Sequence, residues 1–96
     1  MTAYIIYQAE VLDAEQYGRY REKAQVAVEN GGGDYIVRGG DIEVLEGDAP
    51  PGRTVVLEFE SMQAAHDWYH GPEYTAAKAL REGAVRANAY IVDGVG

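Results

Sequence analysis

The chain has 96 residues, with 16 acidic against 8 basic side chains, a net charge of −8 and no cysteine. This length makes one domain, residues 1–96. The acidic surplus argues against nucleic-acid and anionic-membrane partners, which need a basic face, and the lack of cysteine excludes disulfides, thiolate catalysis and zinc ribbons.

The opening segment, "MTAYIIYQAEVLD", has no basic start, and its short apolar run is interrupted by Gln8 and Glu10. It does not read as a signal peptide. No apolar run reaches the ~20 residues of a membrane helix, so a cytoplasmic protein is expected. Ala3 to Leu12 alternates and is rich in Ile, Val and Tyr, which predicts a first strand. Asp13, with Gln16 three residues on, matches a capping box and opens a helix to about Asn30. Its apolar stripe is Tyr17, Tyr20, Ala24, Ala27 and Val28. Gly31-Gly32-Gly33 ends it.

Tyr35 to Val44 contains the second strand, as two β-runs, Asp34–Arg38 and Ile42–Glu46, with a break or bulge expected at Gly39-Gly40. "EGDAPPGR" is a turn or loop, and Arg53 to Glu60 is the third strand. Ser61 caps a helix over "SMQAAHDWYH". Gly71-Pro72 breaks it, and a helix resumes from Pro72 to Gly83. Ala84 to Asp93 is the last strand. The order β-α-β-β-α-β is the ferredoxin-like plan, an α+β fold with a four-stranded antiparallel sheet and helices on one face.

Strand alternation sorts the side chains. Ile5, Tyr7, Ala9 and Val11, with Val55, Leu57 and Phe59 and with Ala87, Ala89 and Ile91, form an apolar set suited to the helix side. The opposite face carries Tyr4, Ile6, Gln8 and Glu10, then Val56 and Glu58, then Asn88, Tyr90 and Val92. An open sheet face shows cleaner polar alternation than this. Aromatic and aliphatic residues with a few polar partners suit a homodimer interface through the open sheet face.

The stretches "AYIIYQAEV", "YGRYREKA", "GGGDYIVRGG", "EVLEG", "RTVVLEFES" and "PEYTAAKALREGAVRANAYIVDG" cover nearly the whole chain. Together they resemble a domain-of-unknown-function family, number 1330, of the dimeric α+β barrel superfamily. The resemblance implies a ferredoxin-like protomer and a sheet-to-sheet barrel dimer, and no established reaction. Superfamily relatives include cofactor-free monooxygenases, haem-degrading enzymes and isomerases of small aromatic compounds. Fold analogy does not choose among them.

Three groups of residues are candidates for function. A regular second strand puts Arg38 on the face of Glu58 and Glu10, where it forms a structural ion pair with Glu58. The competing role is an anion hook, with Gly39-Gly40 admitting a ligand to the backbone. Tyr17, Tyr20, Trp68, Tyr69 and Tyr74 can line a space between helices and sheet, as core packing or as a small-molecule pocket. Arg38 and His66 are further candidate contacts there. In "HDWYH", His66 and His70 stand at helical i and i+4, like a zinc-protease motif with Asp67 in place of glutamate. A zinc site needs a third ligand, the chain has no third histidine, and Glu73 would serve only by coincidence of the bend. No metal and no cofactor are expected, since no phosphate-binding glycine loop appears either. Two functions follow. One is a small-molecule (aromatic or carboxylate) binding domain or cofactor-independent enzyme with its pocket between helices and sheet. The other is a non-catalytic dimeric structural or regulatory module.

Overall fold

The computed structural model of the chain describes residues 1–95. The elements run β1 (Ala3–Val11), α1 (Ala14–Asn30), β2 (Asp34–Arg38), β3 (Arg53–Phe59), α2 (Met62–His70), α3 (Pro72–Ala79) and β4 (Val85–Asp93). They build one four-stranded antiparallel sheet in the order β2-β3-β1-β4. This is the ferredoxin-like α+β fold, with the second helical region in two pieces.

The local signals act as their chemistry requires. Asp13 accepts a hydrogen bond from the Gln16 backbone N–H at 3.1 Å and starts α1. The reciprocal half of the capping box does not form. The Gln16 amide instead donates to the carbonyls of Leu80 at 3.0 Å and Glu82 at 2.8 Å, tying α1 to the turn after α3. Ser61 Oγ accepts from the Ala64 N–H at 3.0 Å and caps α2. Pro72 sits in the first turn of α3, where its missing N–H costs nothing. That helix ends at Ala79, short of the expected Gly83, in a run of tighter bonds such as Leu80 N–H to Ala77 O.

The helix-facing rows fill the core. Ala3, Ile5, Tyr7 and Ala9 of β1 and Val55, Leu57 and Phe59 of β3 are buried, as are Tyr17, Tyr20, Ala24, Ala27 and Val28 of α1. Ala89 pairs with Tyr7 and Ala87 with Ala9, which places them on the same face, but β4 is an edge strand and both remain exposed.

Two expectations for the second strand are corrected. Its bulge falls at Ile36, not at Gly39-Gly40: Tyr35 pairs with Leu57 and Val37 with Val56. The extra residue shifts the alternation, so Arg38 pairs with Val55 and joins the helix-covered face. Glu58 pairs with Asp34 and Tyr4 on the open face. Arg38 and Glu58 therefore lie on opposite faces and cannot form the expected ion pair. Glu10 engages Arg86 on β4 at 3.4 Å.

The second correction is that Ile42–Glu46 forms no strand. The Gly39 N–H donates to Thr54 O at 2.9 Å, and β3 has by then reached its first residues. A further ladder would have to pair with Pro50-Pro51-Gly52, a turn with two missing N–H donors. Ile42, Val44 and Leu45 are left exposed, Leu45 at 85 %.

Candidate functional site

The helix layer and the sheet enclose a cavity of about 40 Å³. On the scale where one water needs roughly 10–15 Å³, this holds a few waters. The sheet floor is Ile5 and Tyr7 of β1, Arg53, Val55 and Leu57 of β3, Tyr35 and Arg38 of β2 and Ala89 of β4. The α1 wall is Tyr17, Tyr20, Arg21, Ala24 and Val28, and the opposite wall is Trp68 and Tyr69 of α2 with Tyr74 of α3.

Of the residues singled out from sequence, Tyr17, Tyr20, Arg38, Trp68 and Tyr69 all line this cavity. His66 does not. Its ring is 58 % exposed and its Nδ1 lies 3.5 Å from Asp67 Oδ1, because the helical period that turns Trp68 and Tyr69 inward turns His66 out. The His66 and His70 rings sit 4.5 Å apart, yet no group of three or more candidate metal ligands occurs among the described residues. Sequence reading put Tyr7 on this face without marking it as a site residue, and it missed Arg21, Tyr35 and Arg53.

The aromatic walls lock one another. Trp68 lies 4.4 Å from Tyr74, Tyr69 5.1 Å from Tyr74, and Tyr17 5.3 Å from Tyr20. Three of the polar tips have partners. The Trp68 indole N–H donates to Ala27 O at 2.8 Å, closing the end of α1. The Tyr20 and Tyr74 hydroxyls bond each other at 2.7 Å. The Tyr7 hydroxyl, on a side chain 5 % exposed, faces Tyr17 but, like Arg53 Nε and Arg81 Nε, makes no well-formed hydrogen bond. Burial holds the phenols of Tyr7, Tyr20, Tyr35 and Tyr74 above their usual range, so all four are neutral at physiological pH.

Arginines supply the charge. Arg38 stacks on Tyr35 with its Cζ 4.3 Å from the ring centroid, and Arg53 lies 5.8 Å from the Tyr17 ring. Beyond the lining, Arg81 faces Tyr7 and Tyr20 at 5.3 and 5.5 Å. Gly39 has a φ of +72°, and a Cβ there would overlap the Arg53 guanidinium. Only glycine turns the chain here and leaves that room. Among the described residues no carboxylate and no imidazole line the cavity. The arrangement can bind an aromatic body and donate hydrogen bonds, but it holds no general base that titrates near neutral pH.

The family model described as domain of unknown function (DUF1330) matches residues 2–95. The chain belongs to this family. A DUF1330 chain is similar in structure to a protein of unknown function from Rhodopseudomonas palustris, at 16 % identity and a TM-score of 0.75 over 99 % of this chain and 83 % of the other. It is similar to a dimeric, ferredoxin-like protein of unknown function from Bacteroides fragilis, at 12 % identity and 0.61 over 97 % and 96 %. It is also similar to SnoaB, a cofactor-independent oxygenase from Streptomyces nogalater, at 10 % identity and 0.65 over 97 % and 92 %. At these identities the likeness is one of fold. No curated protein matches the chain.

Proposed function

We propose that this DUF1330 chain is a small-molecule-binding domain whose cavity between helices and sheet receives an aromatic or carboxylate compound. The observation that carries this reading is an aromatic-walled cavity in which the buried Tyr7 hydroxyl and Arg53 Nε make no well-formed hydrogen bond. A structural module would have that space filled and its polar tips paired, since an unmade hydrogen bond inside a core is costly. The exposed Arg21 and Arg38 side chains stand at the cavity's rim. SnoaB is a cofactor-independent oxygenase, and chemistry of that class here would rest on the substrate's own reactivity, because the lining offers no base.

The same proposal includes a homodimer through the open face. Tyr90, Ile6, Val56 and Val37 are aligned across all four strands there, an apolar band on the side away from the helices. Glu58, Tyr4 and Val92 flank it on one side, and Gln8, Asn88 and Thr54 on the other. An apolar centre with a polar rim is interface anatomy, and the Bacteroides fragilis neighbour is dimeric. Among the described residues no helix is long and apolar enough to cross a membrane.

A thermal-shift panel of small aromatic acids and quinones tests the ligand reading. A binder present at a hundred times its Kd stabilises the native state by about 2.7 kcal/mol, a rise in Tm on the order of 10 °C for a chain of this size. A Tyr7→Phe or Tyr20→Phe variant should lose part of that rise. No shift with any member of the panel overturns the reading.

A further inference from the structure

We propose that the ligand is a small aromatic acid with a second polar group. Its carboxylate is held by Arg38 and Arg53, and its far polar atom meets the Tyr7 hydroxyl. This rests on the cavity being a ligand site, and it assigns that site a charge, a polarity and an orientation.

The charge distribution is the first argument. Acids outnumber bases two to one in the chain, 16 to 8. The lining nevertheless takes three arginines, Arg21, Arg38 and Arg53, and no carboxylate. Surface arginines in the same protein do find acids: Arg19 lies 3.6 Å from Glu15 and Arg86 lies 3.4 Å from Glu10. Among the described residues none of the three cavity arginines has a carboxylate within ion-pair distance, and the Nε of Arg53 is buried without a partner. Cations gathered at one cavity and left unneutralised repel one another. An anion between them removes the repulsion and satisfies their planar donor forks.

Register supplies the orientation. Tyr7 of β1, Val55 of β3 and Arg38 of β2 form one row across the sheet on the helix-covered face. Arg53 is two residues before Val55 on the same strand, so it shares that face. Tyr7 and Arg38 are thus two strand spacings apart, roughly 9.5 Å between backbones, with Val55 as the platform between them. Tyr17, Tyr20 and Trp68 close over it. A ring on Val55 has aromatic side chains above, guanidinium groups at one edge and a phenol at the other. The phenol is neutral, so it can donate to a hydroxyl, carbonyl or ether oxygen on the ligand's far end. Inorganic phosphate or acetate would meet the arginines equally well, but neither uses the aromatic walls or Tyr7.

The test is calorimetric titration of the full chain with 4-hydroxybenzoate, its neutral amide 4-hydroxybenzamide, and acetate. Trp68, the chain's sole tryptophan, gives a second readout by fluorescence. The acid should bind on the order of tenfold more tightly than the amide, the effect of charge-assisted bonds to an arginine pair, and acetate should bind far more weakly than either. Arg38→Gln and Arg53→Gln should abolish the preference for the acid, weakening acid binding more than amide binding. Arg38→Lys, which keeps the charge, should retain part of it. Tyr7→Phe should weaken acid and amide together and leave their ratio unchanged. Circular dichroism confirms that each variant is folded. Equal binding of acid and amide, or an unchanged preference in folded arginine variants, overturns the proposal while leaving the cavity a ligand site. Acetate or phosphate binding as tightly as the aromatic acid overturns it in favour of a simple anion site. Binding of none of the probes overturns this proposal and the ligand reading together.

Discussion

The Tyr20 and Tyr74 hydroxyls lie 2.7 Å apart on side chains 6 % and 4 % exposed, with the Arg81 guanidinium beside Tyr74. Removing either one breaks the bond between them and leaves the other hydroxyl buried without it, a loss of about 1–3 kcal/mol. Removing both leaves nothing stranded. Tyr20→Phe and Tyr74→Phe should therefore each destabilise by that order, and the double variant by clearly less than their sum. Urea denaturation of the four proteins in a double-mutant cycle measures this, and additive losses would show that the hydroxyls are not coupled. The same scale explains what could be read of the site beforehand. Tyr17, Tyr20, Trp68 and Tyr69 announce themselves because a helical period marks an inward face. Tyr7 is visible as inward-facing, but whether its hydroxyl has a partner depends on residues distant in sequence. Arg53 looks like the ordinary first residue of a strand. Its place at the cavity depends on Gly39, just past the end of β2, which turns away and leaves room for the guanidinium.

At the scale of elements, alternation and caps suffice for the order of strands and helices, and the broken helix at Gly71-Pro72 is written in its residue types. The second strand shows where such reading ends. Ile42–Glu46 carries a strand pattern, and pattern alone cannot tell that β3 has no residues left to pair with it. The bulge at Ile36 is equally silent, since nothing in "DYIVRG" marks which residue will be skipped, yet it decides which face receives Arg38. Deleting Ile36 should leave Tyr35 opposite Leu57, Val37 opposite Val56 and Arg38 opposite Val55 as an unbroken ladder, so Arg38 stays on the helix-covered face. The expected outcome is a folded chain, judged by far-ultraviolet circular dichroism, that still prefers 4-hydroxybenzoate to its amide. Loss of the preference in the folded deletion variant would mean that the pairing does not survive removal of the extra residue and that the bulge itself holds Arg38 in place. Because β2 is an edge strand of five residues, the stability lost should be modest beside that of a central-strand deletion.

The whole molecule buries one face of its sheet under helices and keeps an apolar band on the other. Val56, between Ile6 and Val37 in that band, is the place to test association. Val56→Lys puts a charge at the centre of the proposed interface, where an unpaired buried cation is not tolerated. Sedimentation velocity should find the unaltered chain at twice its 10.5 kDa mass and the variant at the single mass. A monomeric unaltered chain at micromolar concentration would remove the dimer. The helix-covered side makes a separate prediction through pH. Tyr7, Tyr20, Tyr35 and Tyr74 are all held above the ordinary phenol value of 10.0, burial being the largest cause in each case. A raised folded value means that the native state keeps its protons where the unfolded chain has begun to lose them. Below pH 10 both states are protonated and the contribution is fully present. Above pH 10 the unfolded state binds fewer protons, so stability falls as pH rises, by up to about 1.4 kcal/mol per pH unit for each group. Urea midpoints should hold level to about pH 9.5 and then drop steeply, and native protein at pH 10.5 should show less phenolate absorbance than the urea-unfolded chain. Tyr20→Phe should make the drop shallower, since it removes one titrating group from the buried set. A flat profile to pH 11 would mean that these phenols ionise as readily in the native state as in the unfolded chain, against the burial that holds them up.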